Sequence, residues 1–217
     1  MTLDLGVAYR SARERITALV GAAEESVAVP ATPEWNLRDV IAHLAGIVED
    51  VRTGNMHGVT TDPWTAAQVE RGRSKSVPQL LTEWTDGAPA IEGFLSSPAG
   101  ASASRAVYDI HTHEADLCHA LGVPAPLPAD VVNWAAAELL DSFHSAVAAA
   151  GLPPVVVGAT PFEVLRGRLG RRTEAEVCGY DWSADAAPYL DTWFVFGRRT
   201  ESLREVAPAL AAGSVGA

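Results

Sequence analysis

The stretch YDIHTHEADLCHALG, residues 108–122, holds three of the chain's six histidines together with Asp109, Glu114 and Asp116. Imidazoles and carboxylates at helical spacing can bind a divalent metal, and a bound metal can activate water or a thiol. They can equally decorate the wet face of a bundle helix, where an Asp–His pair at i, i+4 only supports the helix. Helical phase separates the two uses. At about 100° per residue with Ile110 at zero, Val107, Leu117 and Leu121 fall within about 60° and form an apolar stripe. Asp109 and His113 then lie side by side on one flank, at about −100° and −60°, and Asp116 continues that flank. His111 falls on the opposite flank, and His119 faces solvent. The pair able to chelate is therefore Asp109 with His113.

The same phase test on NLRDVIAHLAGIVEDV aligns Leu37, Val40, Ile41, Leu44, Val48 and Val51, with His43 about 100° from the centre of that stripe. A flank histidine from one helix and a carboxylate-x3-histidine pair from another make a three-ligand set, and bundles build metal sites from facing helices in this way. His43, Asp109 and His113 are the candidate ligands, beside the alternative of flank histidines that only hydrogen-bond. Three protein ligands leave a fourth position open, which suits a catalytic ion, and imidazole with carboxylate favours zinc over magnesium or calcium. His57 and His144 read as structural. Cys118 lies close to the apolar stripe and away from the Asp109–His113 flank, so it reads as packing. Cys178 is read likewise, and with no CxxC the two form no disulfide framework.

These residues need elements to position them. An apolar stripe at residues 3–24 predicts a helix, and Asn36 and Gly54 cap a second. Asp62-Pro63 starts a short third helix, with Asp62 as its cap. Helices follow over 77–96, 103–121 and 128–151, the last from Pro128 to Gly151. Short connections and the lack of period-2 strands predict an antiparallel helix bundle over 1–151, a mainly α fold. From LPPVVVGATPFEVL onward the texture changes. PPVVVG is β-like, Thr160-Pro161 starts a short helix, and GYDWSADAAPYLDTWFVFG is aromatic and turn-rich. Residues 152–217 are expected to be a small appendage packed on the bundle through Trp182, Tyr189, Trp193 and Phe196. The tail VAPALAAGSVGA reads as frayed.

The chain has 217 residues and a net charge of −11. That charge argues against nucleic acid, which needs a basic face. An anionic substrate needs a local arginine to offset the overall field. Arg105, one turn before Asp109, is a candidate for this, as are Arg166, Arg168, Arg171 and Arg172. Trp35, Trp182 and Trp193 could line a pocket or pack between bundle and appendage. No apolar run reaches the roughly 18 residues of a membrane span, and no secretory signal pattern opens the chain, so a cytoplasmic location is expected. The fifteen arginines against Lys75 alone suit a GC-rich genome.

TPEWNLRDVIAHLAG resembles the early Asp-Val…His segment of DinB-like, mycothiol-dependent maleylpyruvate isomerase-type proteins. YDIHTHEADLCHALG is similar to that family's E-x3-H-x2-D-L-x3-L-G helix. PFEVLRGRLGRRTEAEVCGYDW and PYLDTWFVFG resemble the tail of many actinobacterial members. The resemblance implies a DinB-like four-helix bundle with extra helices, holding a divalent metal, usually zinc, on His43, Asp109 and His113. The family's usual Glu is here Asp109, one methylene shorter, so the ion must approach the helix more closely.

It also implies mycothiol as thiol cosubstrate. A mycothiol thiolate would add to a conjugated cis-alkene and leave as the trans isomer, or attack a small electrophile in permanent S-transfer. Other classes compatible with such a site are a hydrolase or biosynthetic enzyme using metal-bound water, and a non-catalytic metal- or small-molecule-binding bundle. DinB-like bundles often pair, so the resemblance is compatible with a homodimer.

Overall fold

The computed structural model describes residues 3–205, so the expected fraying of residues 206–217 lies outside the described residues. These residues form nine α-helices and one two-stranded antiparallel sheet, a mainly α fold as the periodicity predicts. Contacts divide the chain into two compact units, residues 1–125 and 126–217. The expectation drew a boundary at 151. Here the helix over 129–149 groups with the residues that follow it, because its inward face packs on the next helix.

The first unit contains α1 (Leu5–Val20), α2 (Leu37–Thr53), α3 (Asp62–Gly72), α4 (Val77–Leu95) and α5 (Arg105–Ala120). Both α1 and α2 pack on α4 and on α5, which closes a ring of four helices, and α3 lies against α2. This is a DinB-like helical bundle with one added helix. Local chemistry sets the ends of α2. The Asn36 side chain accepts from Asp39 N at 3.0 Å, Asp39 accepts from Asn36 N at 3.1 Å, and Gly54 ends the helix at φ 75°. A second capping box, Ser76 with Gln79, starts α4. At α3 the cap is one residue earlier than expected: Thr61 takes that position, and Asp62 and Pro63 lie within the first turn.

Ile16, Leu37, Ile41, Leu44, Trp84 and Ile110 are fully buried in this unit. Trp84 Nε1 donates to Tyr9 Oη at 3.2 Å, tying α4 to α1. Helix α5 is not a wet-faced helix at all, since the nine consecutive residues from Ile110 to Cys118 are buried. A helix buried on every side must partner its polar groups. Glu114 accepts from Arg15 Nε and Nη2 at 2.6 and 2.8 Å. His111 donates from Nδ1 to the Val107 carbonyl at 2.7 Å. His119, expected to face solvent, is half-buried.

The second unit contains α6 (Ala129–Ala149), α7 (Pro161–Arg168), α8 (Glu174–Cys178) and α9 (Leu190–Trp193). Strand β1 (Val157–Gly158) pairs antiparallel with β2 (Asp181–Trp182), Val157 opposite Trp182. Phe143 of α6 meets Trp193 and Trp182 edge to face at 5.1 and 6.0 Å, and Trp182 stacks on Tyr189 at 6.0 Å. Phe196, expected in the same packing, is 47% exposed. Helix α8 was not foreseen; a Thr173–Glu176 capping box starts it. Among the described residues no helix is long and apolar enough to cross a membrane.

Candidate metal centre

Helices α2 and α5 bring His43, Asp109 and His113 together, with one ligand atom from each lying within 4.8 Å of the others. Asp109 Oδ2 is 3.5 Å from His43 Nε2, and Asp109 Oδ1 is 3.8 Å from His113 Nε2. Both separations exceed the roughly 2.7–3.2 Å of a hydrogen bond to nitrogen. Two ligands each about 2.0–2.1 Å from one tetrahedral ion stand about 3.3 Å apart, close to what is seen. Both histidines are buried, and Asp109 is partly exposed.

The far side of each imidazole fits a ligand role. His43 Nδ1 is 2.8 Å from Gln68 Oε1 on α3. His113 Nδ1 stands 3.1 Å from Asp116 Oδ2, a charge contact that favours the proton on Nδ1. With protons on both Nδ1 atoms, the two Nε2 lone pairs face the Asp109 carboxylate. Such carboxylate and amide partners hold metal-ligating histidines in one tautomer and orientation. The donor set therefore fits a divalent ion. Phase analysis placed Asp116 on this flank without giving it a role, and it missed Gln68 altogether. Nothing in the periodicity of α3 marks it.

Trp35 covers the pair, with ring centroids 5.4 Å from His43 and 6.1 Å from His113. The same indole lines a cleft of about 630 Å³ between the start of α2 and α3, with Glu34, Asp39, Ala66, Glu70 and Arg73. Tyr9 is buried nearby; burial, together with the charges of Asp109 and Glu92, raises its phenol well above its ordinary value.

The structure gives the remaining sequence candidates other partners. Arg105 is exposed on the first turn of α5, its Nη1 3.5 Å from Thr60 Oγ1. Arg166, in the second unit, is fully buried and donates from Nε and Nη2 to the Glu205 carboxylate, both at 2.9 Å. Arg168 donates to the carbonyls of Thr192 and Trp193, Arg171 to that of Leu169, and Arg172 pairs with Glu163 and Glu205. Burial alone would raise the Glu163 carboxyl, but hydrogen bonds and charge from Arg172 hold it below its ordinary value.

Cys118 is buried as expected; burial first, and then the Glu114 charge, push its thiol up to about 11. Cys178, expected to be packing, is exposed, because the short α8 turns Val177 inward instead. At pH 8 only about 0.1% of a thiol with the raised Cys118 value is thiolate. Iodoacetamide at pH 8 should therefore modify Cys178 and leave Cys118 intact, and peptide mass spectrometry reads the outcome. Alkylation of both at similar rates would contradict this account of α5.

The other histidines on α5 point away from the cluster. His119→Ala and His111→Leu should leave metal content unchanged, although the second removes a buried hydrogen bond and should lower stability by about 1 kcal/mol. Loss of metal in a folded His119→Ala protein would show that the wrong flank carries the site.

Fold and cluster together define a helical bundle with a candidate three-ligand centre for a divalent ion. Residues 9–108 match the family model described as mycothiol maleylpyruvate isomerase N-terminal domain, so a little under half of the chain is similar to that family. The match takes in His43 and ends one residue before Asp109, so Asp109 and His113 rest on geometry. Neither the curated proteins nor the solved structures include a significant match to the chain.

Proposed function

We propose that the chain is a metal-dependent enzyme that activates mycothiol as a thiolate for isomerisation of, or S-transfer to, a small electrophile. The observation that carries this reading is the convergence of His43 Nε2, His113 Nε2 and the Asp109 carboxylate. Among the described residues no fourth His, Cys, Asp or Glu joins that cluster, which leaves a coordination position for an exogenous ligand. The family match supports mycothiol as that ligand. Zinc is the ion that the donor set favours.

A divalent ion bound here supplies Lewis acidity that keeps a thiol ionised at neutral pH. The chain's residues do the rest. With a divalent ion held by them, two neutral imidazoles and one carboxylate would leave the site a net positive charge that would attract a thiolate. Trp35 shields the imidazoles, which limits water. Neither cysteine is needed as nucleophile, since mycothiol would supply the sulfur and Cys118 is buried with its pKa raised.

The cleft that shares Trp35 is the space we assign to the electrophile. Its lining sets Glu34, Asp39 and Glu70 against Arg73, which favours an uncharged electrophile over a dicarboxylate. In isomerisation the thiolate adds to an alkene carbon, the resulting single bond rotates, and expulsion re-forms the double bond and regenerates the thiolate. In S-transfer the thiolate forms an S–C bond to the electrophile, whose leaving group departs or, in conjugate addition, whose carbanion takes up a proton, so one thiol is consumed for each electrophile captured. Incubating the zinc-loaded protein with mycothiol and a panel of electrophiles, with mass spectrometry of adducts and a count of remaining thiol, separates these outcomes. Absence of both enzyme-dependent adducts and isomerised product across the panel would overturn the thiol reading.

A further inference from the structure

Behind His43 runs a chain of buried polar groups that no motif signalled. His43 Nδ1 meets Gln68 Oε1 at 2.8 Å, and Gln68 Nε2 donates to Asp50 Oδ2 at 2.7 Å. The other oxygen, Asp50 Oδ1, accepts from Arg71 Nη2 at 2.7 Å and Asn55 Nδ2 at 2.8 Å. Gln68 is 1% and Asp50 2% exposed, so water does not substitute for these partners. The contact depends on close packing of α2 against α3. A Cβ at Gly46 would stand 2.6 Å from Gln68 Cβ, so only glycine lets Gln68 sit this near.

The direction of the chain follows from donor chemistry. An ionised carboxylate only accepts, so the Gln68 NH2 must face Asp50. Its carbonyl oxygen therefore faces His43, and an oxygen can be satisfied there only by an N–H. Nδ1 must carry the proton, and the lone pair must be on Nε2, the atom turned toward Asp109 and His113.

We propose that Asp50 and Gln68 are positioning residues, a relay that fixes His43 as the Nδ1–H tautomer and so makes its Nε2 a ligand. This rests on the metal reading above for its purpose but not for its structure. His113 is held differently, by direct contact with Asp116, so the two imidazoles are set independently.

The relay makes an unusual forecast for Asp50→Asn, an isosteric change two residues removed from the ion. Arg71 and Asn55 both donate, so they hold the oxygen of the new amide on their side and turn its NH2 toward Gln68. The Gln68 amide must then flip, present NH2 to His43, and force Nδ1 to accept. His43 becomes the Nε2–H tautomer, with a proton where the metal should bind. Adding Gln68→Glu reverses this. The introduced carboxylate accepts from the introduced amide on one side and from His43 Nδ1 on the other, restoring the original tautomer with the same net charge as wild type.

Long-range ¹H–¹⁵N spectra of the metal-free full-length protein read the tautomers, and zinc titration against a competing chelator reads affinity. We expect Nδ1–H for His43 in wild type and Nε2–H in Asp50→Asn, with His113 unchanged. Zinc affinity should fall about 10- to 100-fold in the single variant and return to within a few-fold of wild type in the double variant. Nε2–H at His43 in wild type, or a double variant that binds zinc no better than the single, would overturn the proposal. A purely structural role predicts further damage from the second change, not rescue. Should wild type show the Nδ1–H tautomer yet refuse zinc, the metal reading fails while the relay stands.

Discussion

Asp109→Ala and His113→Ala are each expected to abolish stoichiometric metal while leaving the helical circular dichroism of the protein unchanged. Each removes one of three converging donors, and two remaining ligands do not hold zinc against solvent competition at micromolar concentration. Neither side chain forms part of the apolar core, so the bundle should persist. Any mycothiol-dependent turnover should vanish with the metal.

Asp109→Glu is the informative companion. It installs the glutamate that the resemblance implies, and a longer arm would let the carboxylate reach an ion without drawing it toward the helix. The observed Asp109 separations of 3.5 and 3.8 Å from the two Nε2 atoms are already near those of a tetrahedral site, so Asp109→Glu should retain metal, and its affinity is compared directly with that of wild type. Elemental analysis of the four proteins, purified without chelator or histidine tag and then supplied with zinc, decides the matter. Wild type that stays metal-free would sink the site and the thiol chemistry built on it.

Trp84→Ala should have the largest effect on stability in the first unit. The side chain is fully buried, and its indole N–H donates to the Tyr9 hydroxyl, so truncation both empties a large volume and removes a buried partner. Large-to-small changes of this kind cost about 3–5 kcal/mol. A domain is stable by only about 5–15 kcal/mol, so a substantial part of the margin goes. Trp84→Phe keeps most of the ring and should cost clearly less. Urea denaturation followed by far-ultraviolet circular dichroism measures both, and a loss under about 1 kcal/mol in Trp84→Ala would mean the core reorganises around the gap.

The local features of this protein were legible in its sequence because they depend on neighbours within one helix. Asn36 and Gly54 mark the ends of α2 through hydrogen bonds spanning a few residues. Asp109 and His113 share a flank because residues four apart must do so in an α-helix. Phase also set His43 at the edge of its stripe, which is why the three candidate ligands could be named before any contact was known.

What joins elements was not legible. Residue types near His43 do not reveal that Gln68, 25 positions later, reaches its Nδ1, since that contact exists only where α3 crosses α2 at Gly46. The burial of α5 on all sides, which half-covers His119 and encloses Glu114, contradicts its polar sequence until Arg15 supplies a partner from α1. Cys178 was misplaced for a related reason: the orientation of a five-residue helix is set by what packs on it, not by its own periodicity. The sequence by itself determined which side chains could serve as ligands and on which helix faces they stand. Only the tertiary structure decided that those faces meet, and that buried partners turn both Nε2 atoms toward one point, because convergence and tautomer depend on groups far apart in the chain.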